Sequence, residues 1–222
     1  MNKLLTEFIG TFFLVLAICL ASAFAGAVTP LIIGCALMAM VYMGGHISGA
    51  HYNPAVTLAV WMRGKIRADE AVPYMVVQLV GAFCGAAVGY YLTVNHDVDG
   101  KDFGHLLLVK GAPAFSNVQA LAAEMIWTFA LALVVLNVAT VKQTAGNSYY
   151  GVAIGLTVAA GAACAGNISG GAFNPAVGVG SLLFAAIKGA NITHAWLYLV
   201  GPFLGAAVAA VVFRMQHGTR AD

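Results

Sequence analysis

The amino-acid sequence predicts an all-α membrane protein: six transmembrane helices plus two re-entrant half-helices, arranged as an inverted 3+3 repeat. Three observations carry this expectation. The 222-residue chain is 61% hydrophobic and 8% charged, against roughly 25% charged for a soluble domain. A bilayer can cover that much apolar surface; a soluble fold of this size cannot. The two halves of the chain repeat each other, and each half carries one Asn-Pro-Ala tripeptide behind an apolar segment and a Ser-Gly pair.

The repeat is legible residue by residue. Glu7-Phe8-Ile9-Gly10-Thr11-Phe12 returns as Glu124-Met125-Ile126-Trp127-Thr128-Phe129. Residues 46–56 align without a gap to 167–177, and 79–88 to 199–208. The offsets of 117, 121 and 120 residues are nearly constant. Each half holds three candidate spans, at about 4–26, 31–46 and 72–93 and then at about 119–141, 149–166 and 194–214. Three is odd, so the second half starts on the opposite side of the membrane, and similar sequences inserted in opposite senses form an inverted repeat. The chain 1–222 reads as one domain, with repeat 1 at about 1–94, a connection at about 95–118 and repeat 2 at about 119–214.

The first span follows Lys3 and could imitate a secretory signal with Ala21-Ser22-Ala23 as its cleavage site. Its length and its recurrence in the second half favour a retained membrane span. The second span reads short against the roughly 20 residues that a crossing needs. The loop 48–52 after it is expected to dip into the membrane and supply the missing depth. Asn53 is a good N-cap and Pro54 suits the first helical position. Ala55 to about Met62 then reads as a short helix ending at Arg63-Gly64. In the second half Asn174 caps, Pro175 opens and Ala176 continues a helix to about Ile187, before Lys188-Gly189. With both termini inside, Lys3, Arg63, Lys65, Arg67, Lys142, Arg214 and Arg220 lie inside and Lys101, Lys110 and Lys188 outside. That asymmetry follows the positive-inside rule and points to a cell membrane, plasma or inner, with cytoplasmic termini.

A helix of about ten residues rises about 15 Å, half of a hydrocarbon core of about 30 Å. The two short helices therefore enter from opposite faces and bring their N-termini together at the midplane. Each N-terminus carries about half a positive charge and unpaired N–H groups, so the meeting point disfavours cations, hydronium included. The Asn53 and Asn174 amides are expected to donate to a passing oxygen. A water held by two donors is a poor acceptor, and a proton-hopping chain breaks there. Stretched backbone at membrane depth is tolerated where it lines a water-filled cavity.

Other residues carry less. Glu7 and Glu124 lie deep in spans, where an isolated carboxylate is costly. At matched positions they are expected to accept hydrogen bonds from the re-entrant loops; a proton relay is the alternative. His46 and His51, in the first loop signature, are expected to line the pore or brace the loop. His96, His105, His194 and His217 fall in loops or the tail, where they are expected to be solvated. Cys19, Cys35, Cys84 and Cys164 have no metal spacing and read as small buried hydrophobes. Gly81xxxGly85, Gly151xxxGly155 and Gly201xxxGly205 suit close helix packing in lipid. Asn191-Ile192-Thr193 is a glycosylation sequon, meaningful only in a eukaryotic secretory host. No metal site, cofactor or nucleic-acid partner is implied, since no HExxH, Cys/His cluster or basic stripe occurs.

The run His-Ile-Ser-Gly-Ala-His-Tyr-Asn-Pro-Ala-Val at 46–56 resembles the signature of the major intrinsic protein family, the aquaporins and glycerol facilitators. The resemblance spans about 4–214. It implies an aquaporin-like fold around one pore, assembly as a homotetramer, and a passive channel for water and small uncharged solutes in a lipid bilayer. It also implies a four-residue selectivity filter, which falls on Ile33, Ala162, Gly171 and Val177. Here the chain departs from the family. Many aquaporins have Arg at the Val177 position, and water-selective members have an aromatic at the first position and His at the second. The Asp that marks glycerol facilitators is replaced by Gly178. Val at this position resembles some plant vacuolar aquaporins, which pass water and other small neutral solutes. The solute is thus open among water, ammonia, hydrogen peroxide, urea and glycerol, and an apolar constriction that dewets and closes is the competing outcome. The other classes weighed are a secondary transporter, which would need ion-binding side chains at the midplane, and a junction-sealing structural protein. A membrane enzyme would need a nucleophile–base pair that the sequence lacks.

Overall fold

The computed structural model describes residues 1–93 and 115–218. They form α1 (Asn2–Phe24), α2 (Thr29–Ser48), the half-helix α3 (Pro54–Met62), α4 (Ala68–Thr93), α5 (Asn117–Ala139), α6 (Tyr150–Ser169), the half-helix α7 (Ala176–Ile187) and α8 (Leu197–His217). Six of these helices are long and apolar enough to cross a membrane, and no strand occurs among the described residues. Large apolar side chains such as Phe13, Val80, Ile126 and Leu204 point outward, which lipid tolerates and water does not. The expected connection lies outside the described residues except at 115–118, and with it His96, His105, Lys101 and Lys110; Arg220 lies outside them too.

Local chemistry explains the helix ends. Ser116 caps α5 in a capping box with Gln119. Pro30 sits in the first turn of α2, where its missing N–H is harmless. Both α2 and α6 stop at a left-handed glycine, Gly49 at φ 90° and Gly170 at φ 93°, a conformation open to glycine without a Cβ clash.

These stops correct the expectation that the second spans are short. Each runs 20 residues, because α2 begins at Thr29 and 47–48 and 167–169 continue the helices up to the glycine. The re-entrant depth is additional to a full crossing. His46 is consequently a helical residue, exposed on the last turn of α2. Two other expectations also change. Cys35 and Cys164 are exposed, and only Cys19 is buried. His217 is held rather than freely solvated, packing on Phe213 and sharing a 2.8 Å hydrogen bond with Asn137.

The repeat sets the packing. α1 lies along α4 and α5 along α8, while α2 meets α6 across the pseudo-twofold axis. Gly34 and Gly155 face each other at that crossing. A Cβ on either would come within 2.5 Å of the other's carbonyl oxygen, so no larger residue permits this approach. Lys3 pairs with Glu70 at 3.0 Å and Arg214 bonds the Met62 carbonyl. The starts of α1 and α4 and the ends of α3 and α8 therefore share one face, called the terminal face below.

Candidate functional site

The two half-helix caps meet at the centre of the fold. Asn53 has extended backbone (φ −157°, ψ 118°), and its Oδ1 accepts from the N–H of Ala55 at 2.8 Å and of Val56 at 3.4 Å. Asn174 does the same for Ala176 at 2.9 Å and Val177 at 3.4 Å. With each oxygen turned into its own helix, each amino group faces outward and crosses to the other repeat. Asn53 Nδ2 donates to the Phe173 carbonyl at 2.9 Å, and Asn174 Nδ2 to the Tyr52 carbonyl at 2.8 Å. An amide nitrogen carries two hydrogens. One on each asparagine is committed to this cross-link, and the other is left without a protein acceptor among the described residues. Pro54 and Pro175 open the half-helices, and Ala55 and Ala176 are fully buried beside them.

The loops before the caps are strained and tied down. Ala50, Tyr52 and Phe173 have φ of 51°, 49° and 49°, which costs a non-glycine residue about 1–2 kcal/mol. Buried carboxylates hold them there. Glu7 accepts from Ser48 Oγ (2.6 Å), the N–H of His51 (3.0 Å), the N–H of Tyr52 (2.7 Å) and Gln78 Nε2 (2.8 Å). Glu124 accepts from Ser169 Oγ (2.7 Å) and the N–H groups of Ala172 (3.0 Å) and Phe173 (2.6 Å). A carboxylate surrounded by three or four donors is well satisfied away from water.

The repeats differ in how neighbouring helices brace these loops. Tyr74 donates to the Ser48 carbonyl at 2.9 Å and Tyr198 to the Ser169 carbonyl at 2.6 Å, but the two tyrosines do not align. Gln78, which aligns with Tyr198, instead donates to Thr57 Oγ1 at 3.0 Å. Thr57 aligns with Gly178, where a Cβ would fall 2.3 Å from Tyr198 Cβ. Bulk is also exchanged between repeats. Tyr52 fills a notch at Gly10 and Gly44 and donates to the Met40 carbonyl at 2.9 Å; Phe173 packs between Trp127 and Gly161. Sequence reasoning missed Gln78, Thr57, Tyr74 and Tyr198. Gln78, a lone amide inside an apolar stretch, was the one legible signal.

A cavity of about 770 Å³ passes the paired asparagines. Ile33, Ala162, Gly171 and Val177 all line it, as do His51, Asn53 and Asn174. No Asp, Glu, Lys or Arg does so among the described residues. Aliphatic side chains such as Ile18, Leu37, Leu131 and Val158 share its walls with polar groups such as Thr29 and Asn167. His46 is not among the lining residues, and Glu7 and Glu124 stand behind the loops. The second half-helix opens with a π-helical turn, Ala176–Gly180, a wider turn found often at functional sites.

A profile of the major intrinsic protein family matches residues 1–213. The chain belongs to the major intrinsic protein family. It is 35% identical over 228 residues to Aquaporin NIP1-2 of Arabidopsis thaliana, covering 99% of this chain and 75% of that one. It is 36% identical over 183 residues to Aquaporin AqpM of Methanothermobacter marburgensis, covering 82% and 73%. Its fold matches the X-ray structure of the aquaglyceroporin from Plasmodium falciparum with a TM-score of 0.82 at 24% identity, covering 96% of this chain and 94% of that one. As a major intrinsic protein it is an integral, multi-pass membrane channel of the class that carries water and small solutes, and not an enzyme. Val177 and Gly178 are the two positions of the second half-helix at which the sequence departs from the family pattern expected above. At Gly178 the structure supplies a reason: the backbone of α7 touches the Cβ of Tyr198.

Proposed function

We propose that this major intrinsic protein is a passive channel for water and small uncharged solutes that excludes protons and ions. The cross-linked asparagines are the observation that carries this reading. Their free N–H groups and two facing half-helix N-termini present only donors and positive potential to the lumen. A water there has both lone pairs engaged and cannot relay a proton, and a cation meets two repelling dipoles.

Ile33, Ala162, Gly171 and Val177 form the selectivity filter in this reading. Without an Arg the constriction has no charge and no long side chain. That favours solutes beyond water, with ammonia, hydrogen peroxide and urea ahead of glycerol. Glu7, Glu124 and His51 shape the lumen by holding the loops. The chain acts as one domain of two repeats, without a cofactor, and assembles as a homotetramer in a cell membrane with its terminal face cytoplasmic. The basic residues near that face, Lys3, Arg63, Lys65 and Arg214, support the orientation.

Stopped-flow light scattering on proteoliposomes, with water, urea, glycerol and ammonia as a panel, tests the proposal. A channel gives uptake linear in solute concentration. Saturating uptake would mark a transporter, and no uptake of any of the four a structural protein or a dewetted pore. A proton gradient that decays faster than in empty liposomes would refute proton exclusion.

A further inference from the structure

We propose that Arg63 and Arg214, at the terminal-face end of the first half-helix, bind the phosphate of an anionic phospholipid whose acyl chains lie along the outer stripe of α8. The proposal rests on the membrane fold and on no part of the channel reading.

Two chain segments are tied together twice at this end of α3. The Arg63 guanidinium lies over the Phe213 ring, with Cζ 5.1 Å from its centroid. Arg214, next to Phe213 in the chain, donates to the carbonyl of Met62, the residue before Arg63. Two guanidiniums are thus anchored to the same pair of segments. Lys65 follows, exposed, after the turn at Gly64, where an added Cβ would meet nothing within 4 Å. The negative end of a helix attracts cations. That accounts for the gathering and does not neutralise it.

Arg63 is short of acceptors. Its Nε and Nη2 are buried without a hydrogen-bond partner. The Phe213 ring attracts the cation but offers no lone pair to the N–H hydrogens on these two atoms. A partly desolvated guanidinium without a counter-charge is costly. The described residues supply none. Asp69 pairs with Arg67 and Glu70 with Lys3, while Glu7 and Glu124 are turned into the re-entrant loops. The counter-charge therefore comes from outside these residues, and a phosphate matches the fork of a guanidinium.

The surroundings identify its source. On α8, Leu204, Val208, Val211 and Met215 are exposed at helical spacing and form one apolar stripe. The stripe ends beside Arg214. Trp61, on the last turn of α3, is 45% exposed, and tryptophan is favoured at the membrane surface. A phospholipid fits both parts, with its chains along the stripe and its phosphate at the arginines. A free phosphate would use the arginines alone. A zwitterionic headgroup would bring its own ammonium towards Arg63, Lys65 and Arg214, so a headgroup of net negative charge is preferred.

The test is native mass spectrometry of the full-length protein in detergent, titrated with phosphatidylglycerol or with phosphatidylcholine. Phosphatidylglycerol is expected to bind at least about fivefold more tightly, the factor carried by one basic residue near a membrane surface. Arg63→Gln and Arg214→Gln should each weaken phosphatidylglycerol by about fivefold and leave phosphatidylcholine unchanged. Lys188→Gln, which removes one charge from the opposite face, should change neither. If Arg63→Gln does not fold, Arg214→Gln combined with Lys65→Gln, both at exposed positions, carries the test. Millimolar inorganic phosphate should not displace the lipid. Equal binding of the two lipids would overturn the proposal, as would a loss of the same size in Lys188→Gln. Full displacement by inorganic phosphate would also overturn it, by assigning the site to a free oxyanion.

Discussion

Asn53 and Phe173, 120 positions apart, are joined by a 2.9 Å hydrogen bond from the side-chain amide of the first to the carbonyl of the second. The reciprocal bond from Asn174 to Tyr52 measures 2.8 Å. Each cap is thus held by the backbone of the opposite repeat. The carbonyls that accept these bonds belong to the two strained residues that precede the caps, so the strain in one loop orients the amide of the other.

Replacing Asn174 with Asp removes the donor to Tyr52 but keeps an oxygen for the N–H groups of Ala176 and Val177. The half-helix should therefore stay capped, while a negative charge enters a point that repels cations. Sodium or proton leak through reconstituted protein is expected to rise about tenfold, equivalent to about 1.4 kcal/mol. A folded variant that leaks no more than the wild type would show that the amide contributes little to exclusion.

Glu7→Gln and Glu124→Gln each set an amide NH2 against N–H or O–H donors. One buried donor left without an acceptor costs about 1–3 kcal/mol. Glu7→Gln is expected to lower the unfolding temperature more, because four donors converge on Glu7 and three on Glu124. Thermal unfolding in detergent measures this, and equal or negligible shifts would contradict the brace.

Val177→Arg adds a long cation with five donors to a cavity lined by no Asp, Glu, Lys or Arg among the described residues. Ala162 and Gly171 leave room for it. The variant is expected to lose urea and ammonia uptake and retain some water flow. If the wild type already excludes both solutes and the variant behaves identically, the filter is not wide.

Gly178→Ala is expected to destabilise the protein by about 1–3 kcal/mol through overpacking, since the added carbon meets Tyr198 at Cβ. The clash involves Cβ at 2.3 Å as well as the ring, so Tyr198→Ala in the same chain removes the ring contact but keeps the Cβ contact and should not restore full stability. Recovery of the unfolding temperature in the double variant would show that the ring, and not the backbone approach, sets the need for glycine.

The sequence by itself determined the spans, the inverted sense of the halves and the two half-helices. These follow from local or additive physics: hydropathy summed over a segment, an odd number of crossings, and an Asn-Pro pair that starts a helix wherever it stands. It also singled out Glu7 and Glu124, because a carboxylate in an apolar span needs a partner in any fold. It misjudged the ends of the second spans, since 47–48 and 167–169 belong to the motif that reads as a loop until packing holds them helical; the chain first turns left-handed at the glycines that follow, Gly49 and Gly170. The tertiary structure alone decided which carbonyl each asparagine reaches and why Thr57 and Gln78 stand where the second repeat has Gly178 and Tyr198. It likewise decided that His51 lines the lumen while His46, five residues earlier, does not. A hydrogen bond depends on tenths of an ångström between groups up to 122 positions apart, and such distances exist only once the helices have packed.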